Sequence, residues 1–261
     1  MKIAINGYQL PEHSITFSTF PGGEEYIRIP KSLPTDPKEI EVGALIKSSQ
    51  DVMRLLMITD ALKRYVGSRD CKFYLYLGYL PYARQDRVCA EGESFSLKVF
   101  TKLINDLKYD EVHLADCHSE VGVALLDNVH NDSQKLIISH NPTIHNLVNG
   151  IDYIIIPDAG AAKKATEVAE YYGKPTIQCL KQRREGKIVV EVLGDVKGKT
   201  CVILDDICDG GGTFLALANA LAEQEPEELH LFVTHGIFSR GKRILLDHFN
   251  TVGASYDWTK D

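Results

Sequence analysis

The run Cys201-Val-Ile-Leu-Asp-Asp-Ile-Cys-Asp-Gly-Gly-Gly-Thr213 decides how the rest of the chain is read. Its apolar start predicts a buried strand over 200–204 that stops at Asp205 and Asp206. Asp209 then enters a loop of Gly210, Gly211 and Gly212 closed by Thr213, and residues 214–221 predict a helix. Bare glycines between a strand and a helix let backbone N–H groups approach a phosphate at the helix N-terminus. Carboxylates repel that phosphate, but they accept hydrogen bonds from sugar hydroxyls. Glycines for phosphate and acids for ribose together suggest a ribose-phosphate site.

Working outward, the second half predicts strands over 153–156, 176–180, 187–193 and 229–234 and helices over 161–172 and 242–249. The first half predicts short strands over 2–6, 14–18, 25–29 and 41–46, interrupted by Pro30, Pro34 and Pro37. It continues with a helix over 51–65, a strand over 73–77, a helix over 95–107 and a strand over 111–115. Such alternation predicts βαβ units and parallel sheets, with ligands beyond the carboxyl ends of the strands. The polar stretch 128–134 is the expected boundary, giving domains over 1–131 and 132–261.

Composition narrows the class of protein. A 44% hydrophobic, 25% charged chain is ordinary for a soluble globular protein. Its net charge of -7 argues against a general nucleic-acid binder, so an anionic substrate needs local positive charge. The first residues lack the apolar core of a signal peptide, and no run is long enough to cross a bilayer. Cysteines at 71, 89, 117, 179, 201 and 208 form no C-x-x-C pair, which suits reduced thiols in or near the core of a cytoplasmic protein.

Several strand ends carry chemistry. In Tyr82-Ala-Arg-Gln-Asp-Arg87, Arg84 and Arg87 could clamp polyphosphate and Gln85 could meet a base or phosphate. A solvated polar turn over a packed Tyr82 is the equal alternative. Asp116-Cys-His118 ends one strand and Asp158 another; a carboxylate and an imidazole converging from adjacent strand ends could hold Mg²⁺ with bound phosphates. A lone strand-end histidine is more often structural, and no Cys/His spacing suits zinc. Lys181-Gln-Arg-Arg-Glu-Gly186 reads as a basic loop between strands. A charged hairpin tip is its default reading; closing on a phosphoryl transition state is the functional one.

These pieces in order resemble the ribose-phosphate pyrophosphokinase (phosphoribosyl pyrophosphate synthetase) family. The resemblance is carried by Phe20-Pro-Gly-Gly-Glu24, Asp60-Ala-Leu-Lys-Arg64, Tyr82–Arg87, Asp116–His118, Pro157-Asp-Ala-Gly160, Lys181-Gln-Arg183, Asp205–Thr213 and Thr234-His-Gly-Ile-Phe-Ser239. It implies an α/β fold of two phosphoribosyltransferase-like domains, each with a mainly parallel sheet flanked by helices. It implies transfer of the β,γ-diphosphate of ATP to C1 of ribose 5-phosphate, with Mg²⁺ as cofactor and inorganic phosphate as an activator.

By the same resemblance, Lys181 is the catalytic lysine with Arg183 beside it. Phe20, Glu24, Arg84, Gln85, Asp86 and His118 serve ATP, while His118, Asp158 and Asp116 serve the metal. Asp205, Asp206, Asp209, Gly210, Gly211, Gly212 and Thr213 bind ribose 5-phosphate. Phe20 and Glu24 would reach adenine from a neighbouring subunit of a dimer-based homo-oligomer, a hexamer in the family.

Some positions depart from the family pattern. Gly22 stands where an acid is usual, Ala161 where a glycine is usual, and Val88-Cys-Ala-Glu-Gly-Glu93 where basic residues are common. The resemblance also implies a short variant that stops before the usual C-terminal strand and helix. Two rivals follow: a catalytically weak homologue that regulates an active synthetase, and a phosphoribosyltransferase, which would have no need of the Arg84–Arg87 motif.

Overall fold

The computed structural model describes residues 1–11, 14–184 and 187–259. The chain divides into two compact units, Met1–Asp132 and Ser133–Asp261.

In the first unit, strands β1 (Lys2–Ile5), β2 (Tyr8–Gln9), β3 (Thr16–Thr19), β4 (Glu25–Arg28) and β5 (Glu39–Ala44) precede helix α1 (Ser49–Val66). Then come β6 (Lys72–Leu77), α2 (Ser96–Asp106), β7 (Glu111–Ala115), α3 (Glu120–Leu125) and β8 (Val129–Asp132). The sheet order is β2-β1-β5-β6-β7-β8, parallel from β5 to β8, with β3-β4 a separate hairpin. Helix α1 begins at Ser48, whose hydroxyl accepts from the Asp51 amide, and ends at Gly67, where φ is 62°. Its buried stripe of Leu55, Ile58 and Leu62 joins Phe73, Leu75 and Leu77 of β6 in one core. Burying each such side chain contributes about 1.5–3 kcal/mol.

The second unit runs α4 (Gln134–His140), α5 (Pro142–Gly150), β9 (Tyr153–Ile156), α6 (Ala162–Tyr172), β10 (Thr176–Arg184) and β11 (Lys187–Leu193). It continues with β12 (Thr200–Cys208), α7 (Gly212–Ala222), β13 (Glu228–Gly236), α8 (Arg243–Leu246) and β14 (Thr251–Asp257). The sheet order is β11-β10-β9-β12-β13-β14, parallel except for the β10-β11 hairpin. Side chains of β12 enter two cores: Cys201 and Ile203 on one face, Val202 and Leu204 on the other. A strand covered on both faces needs an unbroken apolar run, and that is what its sequence carries.

The α/β class and the parallel sheets agree with the sequence, while several bounds differ. Strand β12 runs past Asp205 and Asp206 to Cys208, because β13 offers partners that far: Asp205 pairs with Val233 and Ile207 with His235. Strand β10 runs to Arg184, because Val190 and its neighbours pair with Lys181 onward. Strand β8 occupies most of the polar stretch read as the domain boundary, and β2, α3, α4, α5 and β14 carry signals too short or too polar to stand out. The helix expected over 242–249 contracts to α8. No helix among the described residues is long and apolar enough to cross a membrane. All six cysteines are free; Cys117, Cys179, Cys201 and Cys208 are buried, whereas Cys89 is exposed.

Candidate active site

The second sheet reverses direction between β9 and β12. From β9 the chain moves one way through α6 to β10; from β12 it moves the other way through α7 to β13. In open α/β sheets the crevice beyond the carboxyl ends at such a point receives ligands. Asp158 follows β9, and Asp205 to Thr213 close β12 and open α7.

Asp158 is fixed by three donors. Its Oδ1 accepts from the amides of Gly160 (2.9 Å) and Ala161 (3.2 Å), and Lys181 Nζ lies 2.5 Å from Oδ2. Burial works to raise this carboxyl, but the Lys181 ammonium and the two amides outweigh it and hold it below the usual carboxylate range. Lys181 therefore projects from strand β10 onto the crevice; it is not part of a loop. Of the remaining basic segment, the side chain of Arg183, together with Glu185 and Gly186, lies outside the described residues.

The acid pair splits by environment. Asp206 is 7% exposed and its Oδ2 meets Lys164 Nζ of α6 at 3.1 Å. Asp205 accepts the Asp206 amide at 2.8 Å. Burial first, then the neighbouring Asp206 charge, raises its carboxyl well above the usual range. One acid is thus a compensated anion and the other a group that gives up its charge easily, ready to accept or donate a hydrogen bond at a sugar hydroxyl. Behind them the buried Gln134 donates to the Asp205 carbonyl (2.6 Å) and to Thr234 Oγ1 (3.3 Å), tying α4 to both central strands.

The glycine loop is shaped by backbone. Gly211 takes φ 76°, a left-handed conformation that glycine adopts without strain, and α7 starts directly after it. Neither a positive φ nor a nearby atom among the described residues requires glycine at 212, the first residue of α7. The Cys208 carbonyl accepts from the Ile237 and Phe238 amides, so the loop leaving β13 is held against this one. Burial and the carboxylates of Asp205 and Asp209 push the Cys208 thiol up to about 12, which keeps it inert.

In the first unit, Phe20 to Glu24 form the tip of the β3–β4 hairpin. The Phe20 amide bonds to Glu24 O and the Gly23 amide to Phe20 O, each at 2.8 Å. Phe20 stays 53% exposed, edge-on to Tyr26. After β6, Tyr82 takes φ 63° in a tight turn and is partly exposed above Phe100, not packed beneath the turn. Arg84 and Gln85 are exposed. Arg87 Nε lies 3.0 Å from Asp86 Oδ1, a pair within the turn that leaves the Arg87 side chain 74% exposed. The Arg87 guanidinium foremost holds Asp86 below the usual carboxylate range against the pull of burial, and the His118 charge adds to it. Asp116 is buried at φ 47°, while His118 is exposed.

His118 and Asp158 do not end adjacent strands. β7 belongs to the first sheet and β9 to the second, a separation that similar spacing in two halves conceals. Among the described residues no cluster of His, Cys, Asp or Glu supplies an all-protein metal cage. The oxygen donors at the crevice nevertheless suit a hard cation such as Mg²⁺, which takes one or two carboxylates and completes its shell with water and phosphate. Sequence reading missed Lys164 and Gln134. The Lys163-Lys164 doublet in an alanine-rich helix was a signal for the first; nothing local marks the second.

Comparison with known proteins agrees with this geometry. A model of the phosphoribosyl transferase domain matches residues 127–254. The chain is 31% identical to the ribose-phosphate pyrophosphokinase of Pyrococcus abyssi, across 87% of this chain and 78% of that protein. It is 32% identical to that of Pyrococcus furiosus, across 88% and 81%. The crystal structure of phosphoribosylpyrophosphate synthetase from Mycobacterium smegmatis superposes with a TM-score of 0.71 at 27% identity, covering 85% of this chain and 72% of that one. With the switch-point acids, the lysine on β10 and the glycine loop all in place, the chain belongs to the ribose-phosphate pyrophosphokinase family.

Proposed function

We propose that this enzyme transfers the β,γ-diphosphate of ATP to C1 of ribose 5-phosphate, giving phosphoribosyl pyrophosphate and AMP. The observation that carries the reading is the convergence of Lys181, Asp158 and the Asp205/Asp206 pair on one switch point. Amides of the loop from Asp209 to Thr213 hold the 5-phosphate, and Asp205 and Asp206 orient the hydroxyls. Phe20, Glu24, Arg84, Gln85, Asp86 and His118 serve ATP, with Phe20 and Glu24 acting across a homo-oligomer contact.

The C1 oxygen attacks the β-phosphorus, the bond from that phosphorus to the α,β-bridging oxygen breaks, AMP leaves, and the hydroxyl proton passes to solvent. Lys181 leaves its resting acid to offset charge on the transferring group, and Arg183 is assigned to the same task. Asp158 in the second unit and His118 with Asp116 in the first are the candidate residues for holding Mg²⁺ alongside ATP phosphates, and the ion would neutralise phosphate charge there. Positioning and electrostatics supply the acceleration, with no covalent intermediate. A regulator without turnover would have no use for Lys181 on Asp158, which favours the enzyme over that rival. We place the protein in the cytoplasm and take inorganic phosphate as an activator.

Phosphorus NMR of a reaction with Mg–ATP and ribose 5-phosphate tests the chemistry. A C1 diphosphate ester and AMP in equal amounts are expected. ADP with a sugar monophosphate ester at C1 would mean transfer of a single phosphoryl group and would overturn the reading.

A further inference from the structure

We propose that Arg240 is a phosphate-binding residue, giving the glycine loop a charged donor beside its backbone amides. The inference rests on the ribose 5-phosphate reading of that loop and deepens it.

Gly210 is the first observation. Its φ is not left-handed, so the backbone does not demand glycine there. A Cβ at 210 would stand 3.3 Å from Arg240 Cδ and 3.8 Å from Cγ, the two nearest atoms to it. The stem of Arg240 therefore lies across the glycine loop, and the missing side chain at 210 makes room for it. The guanidinium is carried directly on Cδ, the atom nearest to that Cβ position beside the amides assigned to the 5-phosphate.

The backbone that presents Arg240 is fixed. Ser239 N donates to Asp209 O at 3.2 Å, and Gly241 N to Phe238 O at 2.8 Å. Phe238, 3% exposed, anchors the segment in the core. Neighbouring cations are already committed. Lys242 pairs with the Asp257 carboxylate at 3.3 Å above the Phe238 ring, and Arg243 faces Asp247 at 3.9 Å. Arg240, exposed at the surface, forms no ion pair with any described residue.

Charge decides the matter. A sugar 5-phosphate arrives with nearly two negative charges beside Asp209, and Lys164 is already bound to Asp206. The N-terminus of α7 offers only about half a positive charge. One full charge on a guanidinium fork, matched to phosphate oxygens, reverses that balance.

The test is calorimetric binding of ribose 5-phosphate to the wild-type protein, Arg240→Ala and Arg240→Lys, with ATP titrated in parallel. Loss of a charge-assisted contact to phosphate should weaken ribose 5-phosphate binding about tenfold or more in Arg240→Ala. Arg240→Lys should fall between the two, and ATP affinity should stay within about twofold in both variants. Since the side chain is exposed, the melting temperature should not move. If the wild-type protein binds ribose 5-phosphate and Arg240→Ala binds it equally well, the role of Arg240 is lost while the site stands. If the wild-type protein itself does not bind ribose 5-phosphate, the reading of the loop fails first and the role of Arg240 goes with it.

Discussion

Lys181 Nζ lies 2.5 Å from Asp158 Oδ2, an ion pair linking strand β10 to the turn beyond its neighbour β9. Side-chain exposures of 26% and 28% leave both groups within reach of water. A pair so placed contributes about 0–1 kcal/mol to stability, so its value is positional. It parks an ammonium at the crevice where phosphate groups are expected, on an acid that can release it.

Turnover and stability should therefore separate in Lys181→Ala. Removing a donor aimed at transition-state charge typically costs about a hundredfold or more in kcat. The melting temperature should hardly move, and ATP should still bind measurably. Steady-state kinetics with a parallel binding titration checks this; unchanged turnover would remove Lys181 from the catalytic role.

Lys164→Ala should behave in the opposite way. It strands the carboxylate of Asp206, which is 7% exposed, and uncompensated buried charges cost about 3–5 kcal/mol. With Lys164 itself a quarter exposed, the lower end of that range is expected. Denaturant unfolding of the single variant and of Lys164→Ala/Asp206→Asn decides it. The double variant should recover much of the loss, whereas equal destabilisation by both would show that the charge is not the cause.

Glu25 ties the β3–β4 hairpin to α1. Its carboxylate accepts from Gln50 Nε2 (2.6 Å), Thr19 Oγ1 (2.6 Å) and Arg54 Nε (2.7 Å), which together lower its pKa to about 2. A carboxyl lower in the folded state stabilises the fold above its ordinary value of 4.5, and that contribution is lost as pH falls from there towards 2. Melting temperatures across this window should fall more steeply for the wild-type protein than for Glu25→Gln. Parallel curves would place the acid sensitivity elsewhere.

Gly236 closes β13 where there is no room for a side chain. A Cβ would stand 2.1 Å from Phe238 Cε2 and 2.8 Å from Ala254 Cβ. Overpacking of this kind costs about 1–3 kcal/mol. Because Phe238 leads directly to the segment lying on the glycine loop, Gly236→Ala should also raise the KM for ribose 5-phosphate more than that for ATP. Thermal melts and kinetics of this variant test both effects.

Much of this was legible in the residues themselves, wherever the cause was local. Apolar runs such as Tyr153–Ile156 marked strands, and the acids and glycines of Asp205–Thr213 marked the crevice and its phosphate cradle. What escaped depends on distant partners. Asp205 and Asp206 read as a strand end because nothing local shows that Val233 and His235 extend the ladder beside them. Lys181 read as a loop residue until Val190 paired with it. Gln134, polar and at the end of the expected domain boundary, gave no hint that it would be buried against Asp205. Arg240 comes to lie over the side-chain position left empty at Gly210 only once β12 and β13 are aligned.

Release of AMP from Mg–ATP in the presence of ribose 5-phosphate tests the central claim most directly. Steady AMP formation that requires ribose 5-phosphate and collapses in Lys181→Ala is the expected result. Absence of AMP from the wild-type protein at every inorganic phosphate concentration would contradict it.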